Sequence, residues 1–171
     1  DKFVLLGLAI AGQWTTFYAS PNTGKTLITI AGLREQIDGG AISGADVFYV
    51  NADDSYNAAV TKTEIAEQFG MEMLIPNHNG FKAQSMLPLI KQLIKQQKAR
   101  NKLIVLDTLK KFTDLMDKKT ASEFGNLARE FISSGGTLIC LAHTNKHKDA
   151  DGKGIYAGTS DIVDDSDCVY V

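Results

Sequence analysis

Apolar positions along this chain fall into short continuous runs, separated by longer stretches in which they recur every three or four residues. Runs bounded by turn residues predict buried strands, and the three-to-four spacing predicts helix. The predicted strands are residues 15–19, 47–51, 73–75, 103–106 and 137–142. The predicted helices are 24–37, 57–69, 83–98 and 122–133. In the third helix Met86, Leu87, Ile90, Leu93 and Ile94 keep the helical period, and Pro88 inside it marks a start or a kink. In the fourth, Phe124, Leu127, Ala128 and Phe131 share one face. Gly39-Gly40, Gly70 and Gly135-Gly136 close their helices. The run Leu103-Ile104-Val105-Leu106 has no polar alternation, as expected of a central parallel strand covered on both faces. Strands alternating with helices predict βαβ units and an α/β fold with a mainly parallel sheet. The polar stretch 143–157 is expected to be a long loop.

Neither an internal repeat nor a linker interrupts the pattern, so residues 1–171 are expected to form one domain. The chain lacks an initial Met and stops inside the apolar run Cys168–Val171, which suggests a piece of a longer protein. The apolar opening, residues 3–12, resembles a signal-peptide core, but polar Gln13 and a strand follow it without a convincing small-residue cleavage site. It is expected to be structural, and the protein cytoplasmic. No run approaches the roughly 18 apolar residues that span a bilayer. Cys140 and Cys168 stand in separate apolar stretches, at a spacing that suits neither a metal site nor a disulfide framework, and are expected to be buried thiols. A net charge of −2 provides no global field for a polyanion, so any nucleic-acid contact must be local.

One junction carries chemistry. The first strand runs through Tyr18-Ala19 into Ser20-Pro21-Asn22-Thr23-Gly24-Lys25-Thr26 and then a helix. This is the P-loop pattern G-x-x-x-x-G-K-[ST] at every fixed position but the first, where Ala19 replaces glycine. Backbone N–H groups and a helix N-terminus offer positive charge to a β-phosphate. Lys25 would reach the β- and γ-phosphates of ATP, and the Thr26 hydroxyl would complete a Mg²⁺ shell. Without glycine at position 19, the loop entry must avoid a left-handed backbone.

Two strand ends agree with that cradle. The apolar run 103–106 ends in Asp107, the form of a Walker B acid that would hold magnesium opposite Thr26. Strand 47–51 ends in Asn51-Ala52-Asp53-Asp54-Ser55. A carboxylate there would polarise the attacking water; Asp53 is the first choice and Asp54 the alternate. Capping of the next helix by Asp54 or Ser55 is the competing use.

In this order the three elements resemble the RecA-like ATPases. Within them the chain resembles the hexameric replicative helicases of the DnaB and plasmid RepA types, and the phage and mobile-element ATPases of the AAA_25 kind. The resemblance implies a motor domain that binds and hydrolyses ATP, assembles as a homo-oligomeric ring such as a hexamer, and handles single-stranded DNA without sequence preference. It also implies that His143, in Leu141-Ala142-His143-Thr144-Asn145-Lys146, senses the γ-phosphate, with Lys146 the in-pattern cation three residues on. Gly158-Thr159-Ser160-Asp161 and Asp167-Cys168-Val169-Tyr170 resemble the closing signatures. The family commonly places an arginine before the first of these. Here Lys153 is the candidate to act in trans, without the guanidinium fork.

In such motors the loops after the Walker B and sensor strands face the DNA channel. Here the first holds Lys110, Lys111, Lys118 and Lys119, and the second Lys146, His147, Lys148 and Lys153. Asp114, Asp117, Asp149 and Asp151 dilute both clusters. A second function class is a nucleotide-binding regulator or helicase loader without unwinding activity. A small-molecule kinase is disfavoured, because Arg34, Arg100 and Arg129 lie in or beside helical patterns and supply no acceptor lid.

Overall fold

The computed structural model describes residues 2–148, 154–156 and 165–171. Among the described residues, six parallel strands lie side by side in the main sheet, in the order β5-β4-β6-β7-β3-β9. They are β3 (Trp14–Ala19), β4 (Val47–Asn51), β5 (Glu72–Leu74), β6 (Leu103–Asp107), β7 (Thr137–Lys148) and β9 (Cys168–Tyr170). The opening apolar run forms a small antiparallel hairpin, β1 (Phe3–Leu5) with β2 (Ala9–Ile10).

Period-two alternation along the central strands separates two cores. From β6, Leu103 and Val105 face one side, and Ile104 and Leu106 the other. From β7, Ile139 and Leu141 join the first side, Leu138 and Cys140 the second. The first side is covered by α1 (Lys25–Asp38), α2 (Tyr56–Gln68) and the hairpin. The second is covered by α3 (Met86–Lys95), α4 (Leu109–Asp114) and α5 (Lys118–Ser133). A sheet buried on both faces needs apolar residues at every position, which is why β6 reads as an unbroken run.

Three sequence-based expectations are corrected. The polar stretch after residue 142 is not wholly loop: β7 continues to Lys148 and pairs antiparallel with β8 (Gly154–Tyr156). Backbone ladder bonds carry that extension, so it left no apolar period to detect. The segment after Asp107 is helix α4, seated by buried Leu109 and Phe112. It is too short for a periodicity to register. Helix α5 begins at Lys118, four residues before the predicted start at 122, because Asp117 accepts a 2.7 Å bond from the Thr120 amide. Pro88 lies in the first turn of α3, where its missing N–H has no intrahelical partner to lose. Cys140 is buried as expected, whereas Cys168 is only half-buried.

Candidate functional site

The parallel register aligns the strand tips on one edge of the sheet. Asn51 pairs with Asp107, Asp107 with Leu141, and Ala19 with His143. The loop from β3 to α1 therefore opens beside the other candidate residues, at the carboxyl end of the strands where open α/β sheets hold ligands.

Ala19 is still paired in β3 and its backbone is not left-handed, so no glycine is needed there. The left-handed positions fall later, at Asn22 (φ 60°) and Gly24 (φ 80°). Asparagine and glycine are the residues that tolerate this region. Thr23 Oγ1 donates to the Ser20 carbonyl at 2.8 Å, which tightens the turn. Residues Ser20 to Gly24, Pro21 included, are exposed, whereas Thr26 is buried. Lys25 Nζ donates to the Ser20 carbonyl at 2.9 Å and lies 3.0 Å from His143 Nδ1. Its partial burial lowers the ammonium pKa, opposed by the charges of Asp53 and Asp107.

Asp107 is fully buried, and its Oδ2 accepts bonds from Thr26 Oγ1 (2.5 Å) and Tyr49 Oη (2.7 Å). Burial pushes its carboxyl up, the hydrogen bonds from Thr26 and Tyr49 oppose this, and the Asp53 and Asp54 charges add to it. Its Oδ1 is buried without a hydrogen-bond partner among the described residues. Such an orphan acceptor asks for a donor or a cation. Thr26 spends its proton on Oδ2, which leaves its lone pairs for the same ion. No cluster of three or more metal-binding side chains exists among the described residues. Magnesium takes one or two protein ligands and completes its shell with phosphates and water, so a hydroxyl and a carboxylate placed like Thr26 and Asp107 have the donor chemistry it uses.

Asn51, also buried, organises the tip of β4. Its Oδ1 accepts the amides of Asp53 and Asp54 at 3.3 Å each, and its Nδ2 donates to Asp54 Oδ2 at 2.9 Å. Asp54 is further held by an ion pair with Lys62. Ser55 is the N-cap of α2 without a side-chain cap bond. Asp53 instead turns toward the cradle, 3.4 Å from His143 Nε2 and 2.7 Å from Lys111 Nζ. Burial would raise its carboxyl, but the bonds and charges of Lys111 and His143 outweigh that and hold it below its ordinary range.

The structure thus brings together Gly24, Lys25, Thr26, Asp53, Asp107 and His143. A cleft of about 290 Å³ opens between the loop, Asp53 and His143. A larger cavity, about 520 Å³, lies at the opposite ends of the strands by Lys2 and Arg100. Convergent titratable groups distinguish the smaller one. Lys110 and Lys111 lie on α4 rather than on a loop, and each is engaged by an acid, Lys110 by Asp114 at 2.6 Å and Lys111 by Asp53. Lys146 stands in the extended part of β7. Lys153 and the segment Gly158–Asp161 lie outside the described residues.

Sequence reasoning missed Tyr49, Asn51 and Lys62. Tyr49 and Asn51 are alternate residues of β4, so both face Asp107's side of the sheet. A buried hydroxyl or amide in an apolar strand needs a partner, and that was the available signal.

A phosphate-binding loop between strand and helix, with a buried acid two strands away on a parallel sheet, defines a RecA-like P-loop nucleotide-binding core. Residues 2–149 match the model of the AAA_25 family, an AAA domain, and the chain belongs to that family. Its fold is similar to that of the KaiC-like protein PH0186 from the hyperthermophilic archaeon Pyrococcus horikoshii OT3. The TM-score is 0.55 at 14% identity, over 84% of this chain and 67% of that one. At such identity the likeness is one of fold. No curated protein sequence matches the chain.

Proposed function

We propose that the chain is the ATP-hydrolysing domain of a helicase-like motor that acts on DNA. The observation that carries this reading is the Thr26–Asp107 contact at the mouth of the P-loop, with the buried, unpartnered Asp107 Oδ1 beside it. Ser20 to Gly24 would wrap the β-phosphate with amides, and Lys25 would exchange its Ser20 carbonyl for the β- and γ-phosphate oxygens. Thr26 and Asp107 would hold magnesium, which when bound supplies charge neutralisation along the phosphates.

Asp53 is the candidate base. A water oxygen attacks the γ-phosphorus, its proton passes to Asp53, and the bond from that phosphorus to the β–γ bridging oxygen breaks, releasing ADP. His143 touches both Lys25 and Asp53, so it would report loss of the γ-phosphate to β7. Assembly into a ring, with Lys153 acting on a neighbour's nucleotide, and DNA held by Lys110 and Lys146 complete the reading.

Thermal unfolding with and without magnesium-ATP tests the cradle. At about 100 times its dissociation constant, ATP adds roughly 2.7 kcal/mol, a rise on the order of 5–10 °C for this size. Lys25→Ala should abolish the rise. A wild-type protein indifferent to ATP at every protein concentration refutes the reading. ATP binding without hydrolysis, with or without DNA, would favour the regulator or loader instead.

A further inference from the structure

Lys111 makes a two-point contact with one residue. Its Nζ lies 2.7 Å from Asp53 Oδ1 and 3.2 Å from the Asp53 backbone carbonyl. A lysine that merely screens a nearby acid has no reason to bind the main chain of the same residue. Asp53 follows the tip of β4, while Lys111 stands on α4, directly after the Asp107 strand. Helix α4 is fixed by Leu109 and by Phe112, whose ring meets Phe124 edge-on at 5.1 Å between centroids. Lys111 therefore projects from a seated helix. The companion acid Asp54 has its own cation, Lys62, so the two lysines divide the two carboxylates between them.

The oxygen chosen matters. Lys111 and His143 are both recorded against Asp53 Oδ1, from two different elements. We infer that Lys111 is the positioning residue for Asp53: it pins one carboxylate oxygen and the backbone, and so aims the other oxygen at the γ-phosphate position. This rests on the reading of Asp53 as the base. Titratable and charged groups facing Asp53 are Lys111 from α4, His143 from β7 and Lys25 from α1, with Asp107 and Asp54 the nearby acids. Removing Lys111 takes away the nearest cation as well as the clamp. A base freed to rotate loses the alignment of its near-attack geometry, for which displacements of about 1 Å cost on the order of 100-fold.

The test compares steady-state hydrolysis of magnesium-ATP by wild type, Lys111→Ala, Lys111→Gln, Lys111→Arg, Asp53→Asn and the remote charge control Lys91→Ala. Thermal unfolding with ATP first shows which variants fold and bind. Lys111→Ala should lower kcat by about 10- to 100-fold, leave KM within about twofold, and move the acid limb of the pH profile upward. Lys111→Arg should recover most of kcat, and Lys91→Ala should match wild type. Should Lys111→Ala not fold, Lys111→Gln carries the same prediction. Unchanged or increased kcat in the Ala or Gln variant overturns the inference, as does an effect confined to KM.

If the wild type hydrolyses nothing, the functional reading fails in its own right. The clamp is then read from the carboxyl ¹³C titration of Asp53, which should shift upward in Lys111→Ala. An unchanged titration removes the clamp too.

Discussion

Asp53 and Asp54 are neighbours in sequence but live in different electrostatic surroundings. Asp54 is tied to Asn51 and Lys62 and closes the turn into α2. Asp53 faces the P-loop lysine through His143. The pair could not be separated in the sequence, because adjacent acids at a strand end have the same composition signal whichever one turns inward. The buried Asn51 makes the choice by fixing both amides. Asp53→Asn should therefore lower ATP turnover by roughly 10²–10⁴-fold, the usual contribution of a positioned base. The ATP-dependent rise in unfolding temperature should persist.

The pH behaviour follows from the direction of its shift. The folded carboxyl titrates below its ordinary 3.8, because Lys111 and His143 outweigh burial. Its ionisation therefore stabilises the fold above that value and ceases to do so as pH falls through the lower, folded one. Asp53 should therefore contribute no acid limb above its ordinary range, and any limb above it should belong to the buried Asp107, whose carboxyl is raised. An acid limb above the ordinary range that persists in a variant retaining Asp107 but lacking Asp53 would confirm that assignment, and one that vanishes with Asp53 would refute it.

At the scale of elements, the central strands were legible because burial on both faces leaves β4, β6 and the inner half of β7 with apolar runs. Elements held by something other than an apolar stripe were not. Helix α4 needs only Leu109 and Phe112, and the outer half of β7 rests on ladder bonds. The junction before β4 shows how a close approach, invisible in the sequence, sets an element's place. The bend at Gly44 brings its backbone so near the end of α2 that an added Cβ would lie 1.9 Å from the Phe69 carbonyl oxygen. Backbone on both sides leaves little room to yield.

Gly44→Ala should thus force β4 and α2 apart and cost about 1–3 kcal/mol as overpacking. That corresponds to roughly 3–10 °C in unfolding temperature at this chain length. Because β4 carries Asp53, turnover should fall further than the loss of folded protein accounts for. Calorimetry and single-temperature assays on the folded fraction measure the two separately. An unfolding temperature equal to wild type would mean that the junction opens freely.

At the scale of the whole molecule, charge decides how a polyanion can be held. The chain carries a net charge of −2, so attraction to DNA must come from a few cations in one place. Two of the expected cations are already spoken for: Lys110 pairs with Asp114, and Lys111 with Asp53. A strand of DNA reaching Lys111 would compete with Asp53, so α4 cannot release Lys111 without disturbing the proposed base. This leaves Lys110 at the cost of a surface pair, with Lys146 and Lys153 as the further candidates. Roughly three phosphate contacts per subunit give a slope of log affinity against log salt of about −2 for single-stranded DNA.

Titrating a labelled oligothymidylate between about 50 and 200 mM salt should yield that shallow slope per subunit, multiplied by the number of subunits that engage one strand. Exposed Leu27 and Ile28, beside the cradle on α1, are where a neighbouring copy would gain apolar contact. Hydrolysis per subunit should accordingly rise with protein concentration, and DNA stimulation should appear in the same range. A steep slope at concentrations where the protein is monomeric would mean that one subunit holds far more phosphate than these lysines can. Affinity independent of salt, together with hydrolysis indifferent to DNA, would remove DNA from the proposal and leave a nucleotide-dependent regulator.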